Sequence, residues 1–158
     1  MKKIIFEQVS NMILATLLAC AAASTIAGSN INTDSSDYLV DIHFDKLWLV
    51  FILAAFIFTV LRYGYSKYLG KHDGYDAKNA EFSYQDEREK LISQHATKIT
   101  YQFMTNILAA SIIVLVFCNA LTNSIFVLRL IPVILIAICL ILMFFVYLVA
   151  WIVYDHKL

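Results

Sequence analysis

Residues 130–154 read LIPVILIAICLILMFFVYLVAWIVY, a stretch of 25 residues without Asp, Glu, Lys, Arg or His. An α-helix crosses a hydrocarbon core about 30 Å thick with about 20 apolar residues. The stretch is therefore long and apolar enough to span a bilayer. Three further stretches meet the same criterion, at about residues 9–27, 47–63 and 103–121. The sequence thus predicts an all-α, polytopic membrane protein built as a four-transmembrane-helix bundle.

The composition of the whole chain supports this class. Of the 158 residues, 61% are hydrophobic and 15% are charged, whereas soluble domains average about 45–50% apolar and about 25% charged residues. Twelve basic and twelve acidic side chains cancel, so no overall positive field favours direct nucleic-acid binding. The connections are too short for a separate soluble domain of about 50 residues. We therefore expect a single membrane domain over residues 1–158.

Lys and Arg are distributed unevenly over the connections. If the N-terminus is inside, ten of the twelve fall on the inner side and only Lys46 and Arg129 on the outer side. An excess of Lys and Arg in cytoplasmic segments sets the orientation of membrane proteins. We therefore expect cytoplasmic N- and C-termini in a multi-pass protein of the cell membrane.

Two interpretations compete for the first span. The stretch Leu17-Leu18-Ala19-Cys20 resembles a bacterial lipobox, in which the cysteine is lipidated and becomes the new N-terminus. Small residues also recur at every fourth position along this span, and such ridges let a transmembrane helix pack closely against a neighbour. We favour an uncleaved helix for that reason. Its expected helix-packing residues are Ala15, Ala19, Ala23 and Cys20, together with Asn11, which is expected to meet Asn106 of the third span at a similar depth.

The connection between the second and third spans carries a helix signal. Ser83-Tyr84-Gln85-Asp86 fits an acidic variant of the capping box, with the Ser83 hydroxyl accepting a free backbone N–H. No Gly or Pro follows before Leu121. We therefore expect one continuous helix, in which residues 83–100 extend the third span into the cytoplasm.

The predicted extension is amphipathic. Its more apolar face is expected to contain Arg88, Leu91, Ile92, His95, Ile99 and Gln102, with Lys90, Ser93, Gln94, Thr97 and Lys98 on the opposite face. An apolar stripe on a projecting helix must be buried against another apolar surface. A second copy of the chain, the inner loop or a cytoplasmic protein would each provide one. The candidate partner-binding residues are Asp86, Glu87, Arg88, Glu89, Leu91, Ile92, His95 and Ile99.

The start of this helix also resembles a known motif. The residues concerned are Asp86-Glu87-Arg88-Glu89, followed by Ile92, Ala96 and Thr100-Tyr101. They resemble an uncharacterised family of small four-span prokaryotic membrane proteins with an Asp-Glu-Arg motif just before the third span. The resemblance covers the motif and the four-span layout. It implies a prokaryotic cell membrane and, because the genes of such proteins often neighbour a small helix-turn-helix regulator, a regulatory or signalling role. Alternatively, the motif is simply a well-capped, solvated helix start.

Groups that could carry catalysis are sparse. Cys20, Cys118 and Cys139 form no CxxC pair and are expected to be small apolar fillers. His43 lies in an outer loop with four aspartates that could together hold a divalent cation, but their spacing matches no EF-hand and an ordinary acidic loop is expected. No charged side chain falls deep within a span. The four aspartates beside His43 are Asp34, Asp37, Asp41 and Asp45. The sequence therefore predicts no catalytic residue, cofactor or metal site and no enzyme.

Taken together, these features predict a non-enzymatic small integral membrane protein. Its expected role is regulatory, sensory or partner-scaffolding through the helix 83–100. Its expected partners are the lipid bilayer and either a second copy or a cytoplasmic protein. Two alternatives stay open: an immunity or protective protein against membrane-active peptides, which would use the acidic outer loop, and a small dimeric transporter.

Overall fold

The computed structural model describes residues 2–32, 39–41, 43–68, 74–84 and 86–157. Four helices account for most of them: α1 (Lys2–Gly28), α2 (Leu47–Tyr68), α3 (Glu87–Leu121) and α4 (Ile125–Lys157). All four are long and apolar enough to cross a membrane. The prediction of four helices long and apolar enough to span a membrane is therefore confirmed, and each predicted span lies within one helix.

The helices are arranged in a row rather than as a closed bundle. The helix α1 packs against α2 on one side and α4 on the other, and α3 packs against α4. No comparable interface joins α2 to α3 in the described part of the chain. The predicted four-helix bundle is corrected accordingly. As a result, no α2 residue is buried, and the buried residues of α3 all lie near its start.

The end of the row that holds the beginning of α1, the beginning of α3 and the end of α4 is called the inner end below. Its core contains one apolar cluster, to which three helices contribute. The cluster consists of Ile4, Ile92, Ala96, Tyr147, Ala150 and Trp151, with Leu148 and Tyr154 packed against it. Many apolar side chains farther along the helices are exposed, as lipid contact requires. The tightest tertiary packing is thus at the inner end.

A short antiparallel hairpin lies at the opposite, outer end. Its strands are β1 (Asn30–Asn32) and β2 (Leu39–Asp41), and Ile31 pairs with Val40. Trp48 of α2 donates through Nε1 to Thr25 Oγ1 of α1 at 2.7 Å. The all-α class is confirmed by the four helices, and this two-stranded hairpin, in which backbone groups pair with each other, is a small addition that the sequence does not predict.

The helix α3 begins one turn later than the capping-box pattern predicted. Its N-cap is Asp86, whose Oδ1 accepts from the Glu89 amide at 2.7 Å. Ser83 instead follows a single 3-10 turn at Ala80–Phe82, and its hydroxyl bonds to the Asp76 backbone. A carboxylate is a strong N-cap because it also interacts favourably with the helix dipole. The predicted continuity of the helix to Leu121 is confirmed.

Part of the predicted packing ridge of α1 faces α4. Ala15 is buried, and Ala15 and Ala19 lie opposite Ala137 of α4 across a small apolar gap. Ala23 is half-buried, whereas Cys20 is exposed. The ridge that contains Ala15 and Ala19 thus contributes to the α1–α4 interface. Asn106 is exposed on α3, and no hydrogen bond joins it to Asn11 among the described residues.

Candidate functional site

The inner end buries charged and polar side chains together with its apolar cluster. Lys3, Glu7 and Gln8 of α1 are each at most 2% exposed. Such groups are buried in proteins only where other polar groups compensate for their lost hydration. The partners of the two charged groups are distributed over α2, α3 and the connection between them.

The first compensating contact joins α1 to α3. Lys3 Nζ donates to Glu89 Oε2 at 2.7 Å, and the Glu89 side chain is itself 20% exposed. A charge-assisted hydrogen bond of this length is among the stronger ones in proteins. It holds the first turns of two helices that are not consecutive in the chain.

The second contact joins α1 to α2 and to the connection that follows α2. Arg62 Nε lies 3.0 Å from Glu7 Oε1. The Tyr75 hydroxyl donates to the same carboxylate and accepts from Arg62 Nε at 3.2 Å. Burial raises the pKa of the Tyr75 hydroxyl well above its usual range, and the hydrogen bond to Glu7 raises it further. The phenol therefore remains a neutral donor within the group formed by Glu7, Arg62 and Tyr75.

Aromatic rings surround this group on the α2 side. Phe6 stacks on Tyr65 with ring centroids 5.5 Å apart, and Tyr65 meets Tyr75 edge to face at 5.0 Å. Such pairs add stability beyond the area they bury. They hold the connection close to α1 at the point where the Tyr75 hydroxyl bonds to Glu7.

The third contact joins α3 to α4. Arg88 Nη2 donates to the Asp155 backbone oxygen at 2.7 Å and lies 3.4 Å from Asp155 Oδ1. Asp86, Arg88 and Glu89 of the charged motif thus have intramolecular roles as N-cap, link to α4 and link to α1. Glu87 is exposed.

The buried face of α3 differs from the predicted one. It consists of Ile92, Ser93, Ala96 and Thr100. Ser93, which the amphipathic pattern assigned to the opposite face, is 1% exposed and bridges the hydroxyls of Tyr84 and Tyr147 at 3.2 and 3.0 Å. The assignment failed because two tyrosine hydroxyls satisfy the serine inside the core. Hydropathy alone does not reveal such partners.

The other predicted partner-binding residues have different environments. Ile92 is fully buried and so is unavailable to a partner, whereas Leu91 and Ile99 are 49% and 36% exposed. His95 stacks on Tyr154 of α4 with centroids 5.0 Å apart. Of the predicted apolar stripe, only Leu91 and Ile99 therefore offer substantial apolar surface.

A surface groove that the sequence pattern does not predict lies beside the buried face. Its volume is about 470 Å³. Its exposed aromatic walls are Phe82 and Tyr84 from the connection and Tyr101 from α3, at 48%, 38% and 73% exposure. The signal available in the sequence was the presence of these aromatic residues on both sides of a charged helix start. The groove residues of α3 are Ser93, Gln94, Thr97, Lys98 and Tyr101.

A second, more apolar cleft adjoins this groove. Its volume is about 260 Å³, and it lies between α1 and α3 with Met143, Phe144 and Tyr147 of α4 among its lining residues. Phe82 and Tyr101 line both spaces. The groove therefore continues from the charged start of α3 toward its apolar part.

The residues considered for metal or redox chemistry do not converge. Over the described ranges, no three His, Cys, Asp or Glu side chains lie close enough to hold a metal ion. Asp34 and Asp37 of the acidic loop lie outside the described residues, and His43 is exposed beside Gly28. Cys139 is buried with Sγ 3.5 Å from Ser111 Oγ, whereas Cys20 is exposed.

The four apolar helices and the polar packing at one end define a multi-pass membrane protein. The chain belongs to the family described as "Predicted membrane protein (DUF2178)", whose profile matches residues 38–158, more than half of the chain. No curated protein and no solved structure matches the chain. The predicted membrane class is thereby confirmed, and the family description states no activity.

Proposed function

We propose that this protein is a non-enzymatic regulatory or scaffolding component of a prokaryotic cell membrane, which binds a cytoplasmic protein through the start of α3. The observation that carries the proposal is the groove bounded by Phe82, Tyr84 and Tyr101. Exposed aromatic side chains around a concave surface are typical anchors of protein interfaces. Lys98 in the same groove favours a partner segment that combines an apolar side chain with a carboxylate.

The packing behind the groove supports this role. The links from Lys3 to Glu89 and from Arg88 to Asp155 hold the start of α3 on two neighbouring helices. The bridge through Ser93 connects Tyr84 to the core. A surface that is held in place before binding loses less conformational entropy on association. The groove is therefore suited to binding.

The proposal places the inner end and both termini in the cytoplasm, as the Lys and Arg distribution predicts. A single cysteine at Lys78, in a chain whose native cysteines are alanine, tests this orientation. A membrane-impermeant thiol reagent should label it only in opened cells, whereas a single cysteine at Lys46 should be labelled in intact cells. The reverse pattern contradicts the orientation.

The partner is tested by photocrosslinking in native membranes. A photoreactive phenylalanine analogue replaces Phe82 or Tyr101, and the crosslinked protein is identified by mass spectrometry. The same partner should appear from both positions, and Lys98→Glu should reduce its yield at least fivefold. Lys67→Glu is the matched control, because Lys67 is an exposed lysine at the end of α2. Equal yields from the two variants, or different proteins at the two positions, contradict the proposal.

A further inference from the structure

The membrane part of α3 carries a second exposed face that is distinct from the groove. Six exposed residues on it follow each other at alternating spacings of four and three. Most side chains of this part of α3 are exposed, and a spacing of 3.5 residues places these six on one side of the helix, where they can meet a parallel helix along its length. We call this face the α3 seam; its residues are Gln102, Asn106, Ala109, Ile113, Val116 and Ala120.

Two carboxamides lie on the α3 seam, Gln102 at the border of the predicted span 103–121 and Asn106 within it, whereas the exposed carboxamide of Asn119 lies on another face near the outer end of α3. In the described part of the chain, neither Gln102 nor Asn106 has a hydrogen-bond partner. The hydroxyls of Thr105 and Ser111 on the same helix, by contrast, donate to the backbone oxygens of Tyr101 and Ile107 at 2.8 Å. A carboxamide left in hydrocarbon without a partner is unfavourable, and such groups hydrogen-bond across helices.

The other end of the row provides a comparison. The exposed surface of α2 consists of apolar side chains such as Leu53, Phe56 and Val60. Thr59, a polar residue of this surface, donates to the Ala55 backbone oxygen at 2.8 Å. Lipid therefore suits the exposed face of α2. The α3 seam needs hydrogen-bonding groups opposite it.

We propose that the α3 seam is a homodimer interface, in which α3 of one chain packs in parallel against α3 of a second copy. All copies insert in the same orientation, so a twofold axis along the membrane normal brings each seam residue opposite its own counterpart at the same depth. A carboxamide both donates and accepts hydrogen bonds. Asn106 is therefore complementary to Asn106 of the partner subunit. Gln102, about 6 Å nearer the inner end at 1.5 Å per residue, repeats the match.

The remaining seam residues fit the same arrangement. Ala109 lies one turn beyond Asn106, where a small side chain lets two backbones approach closely. Ile113 and Val116 are 59% and 62% exposed and supply apolar knobs at the next two seam positions. At 3.6 residues per turn, the groove residues Gln94 and Lys98 lie about 80° and 40° around the helix from Gln102 and about two turns and one turn nearer the inner end, so the groove adjoins the inner end of the seam.

Disulfide crosslinking in liposomes of the full-length protein tests the geometry. Cys20, Cys118 and Cys139 are replaced by alanine, and a single cysteine is introduced by Ala109→Cys. Leu108→Cys is the matched control, because Leu108 is exposed at nearly the same depth on another face of α3. We expect oxidation to give a disulfide-linked dimer at least fivefold more efficiently for Ala109→Cys. Equal efficiencies overturn the proposal.

The carboxamides are tested separately through the dissociation constant of the dimer, measured by energy transfer between labelled chains at increasing lipid dilution. Asn106→Leu should raise this constant about 3- to 20-fold, the range expected from interhelical hydrogen bonds in membranes. Asn119→Leu makes the same change at an exposed position of α3 outside the seam and should leave the constant unaltered. The proposal is overturned if Asn106→Leu behaves like the wild type. A variant that loses helicity is replaced by Asn106→Ala.

Discussion

Lys3 Nζ lies 2.7 Å from Glu89 Oε2, so the first turns of α1 and α3 are joined by an ion pair across 86 positions of the sequence. The lysine is almost fully buried, whereas the carboxylate reaches the surface. Between these two residues the chain runs along α1 and returns along α2, so the pair joins two segments that are far apart in the sequence. It therefore helps to hold the inner end together.

Removal of the Glu89 charge should destabilise the inner end. In Glu89→Gln, the buried Lys3 loses the carboxylate charge opposite it. We expect the free energy of unfolding to fall by about 2 kcal/mol. This is less than the penalty for breaking a fully buried pair, because Glu89 is partly exposed. Thermal unfolding in detergent, followed by circular dichroism, measures the loss. Glu87→Gln, at an exposed neighbouring position, should change stability by less than about 0.5 kcal/mol. Equal melting temperatures of the two variants would contradict this role of the pair.

Tyr75 should make stability depend on pH in the alkaline range. Because burial raises the pKa of its hydroxyl in the folded protein, ionisation favours the unfolded chain once the pH exceeds the ordinary tyrosine value of about 10. The stabilising contribution is complete below that pH and is lost as the pH rises further. Between about pH 9 and 11, the melting temperature of the wild type should therefore fall more steeply than that of Tyr75→Phe. Parallel curves would show that Tyr75 is not responsible.

Ser93 should tolerate substitution poorly although it lies on a helix rich in polar residues. Ser93→Ala leaves the hydroxyls of Tyr84 and Tyr147 without their bridge, and we expect a loss of about 1–2 kcal/mol. Gln94→Ala changes the adjacent, exposed side chain and should be nearly neutral. Chemical unfolding monitored by tyrosine fluorescence distinguishes the two. If Gln94→Ala lowers the free energy of unfolding more than Ser93→Ala does, Ser93 does not bridge the two tyrosines in the core.

The N-cap of α3 can be located by measuring how well the backbone amides of its first turn are protected from hydrogen exchange. Asp86→Ala removes the acceptor of the Glu89 amide and should destabilise the first turn by about 1 kcal/mol, whereas Asp86→Asn retains a capping oxygen and restores most of it. Hydrogen exchange of the first turn of α3 provides the measurement. Ser83→Ala should instead affect the turn at Ala80–Phe82. If Ser83→Ala speeds hydrogen exchange in the first turn of α3 and Asp86→Ala does not, then Ser83 caps the helix, as the capping-box pattern predicts.

Predictions from the sequence were correct where the controlling physics is local. The apolar stretch 130–154 predicts a span because lipid accepts a helix on the basis of its side chains alone. The third helix continues to Leu121 because no Gly or Pro interrupts it. The prediction failed for the position of the N-cap, where Ser83 and Asp86 both fit a capping pattern and only their surroundings distinguish them.

The candidate site was harder to predict because it depends on distant partners. The sequence indicated the charged motif 86–89 and the amphipathic helix, but not that Arg88 and Glu89 face Asp155 and Lys3. Similarly, nothing local in the sequence brings Phe82 to the side of Tyr101. These relationships arise from the route of the connection and the packing of α3 on α4.

By itself, the sequence determined the membrane class, the four spans and the continuity of the third helix, since each follows from hydropathy and helix-breaking residues over one short stretch. Only the tertiary structure decided the order of the helices in the row and which face of α3 is buried. The reason is that lipid and protein cores both accept apolar side chains. The choice between them depends on shape and on hydrogen-bond partners such as Tyr84 and Tyr147, which satisfy Ser93 in the core, while Asn106 remains on the exposed face.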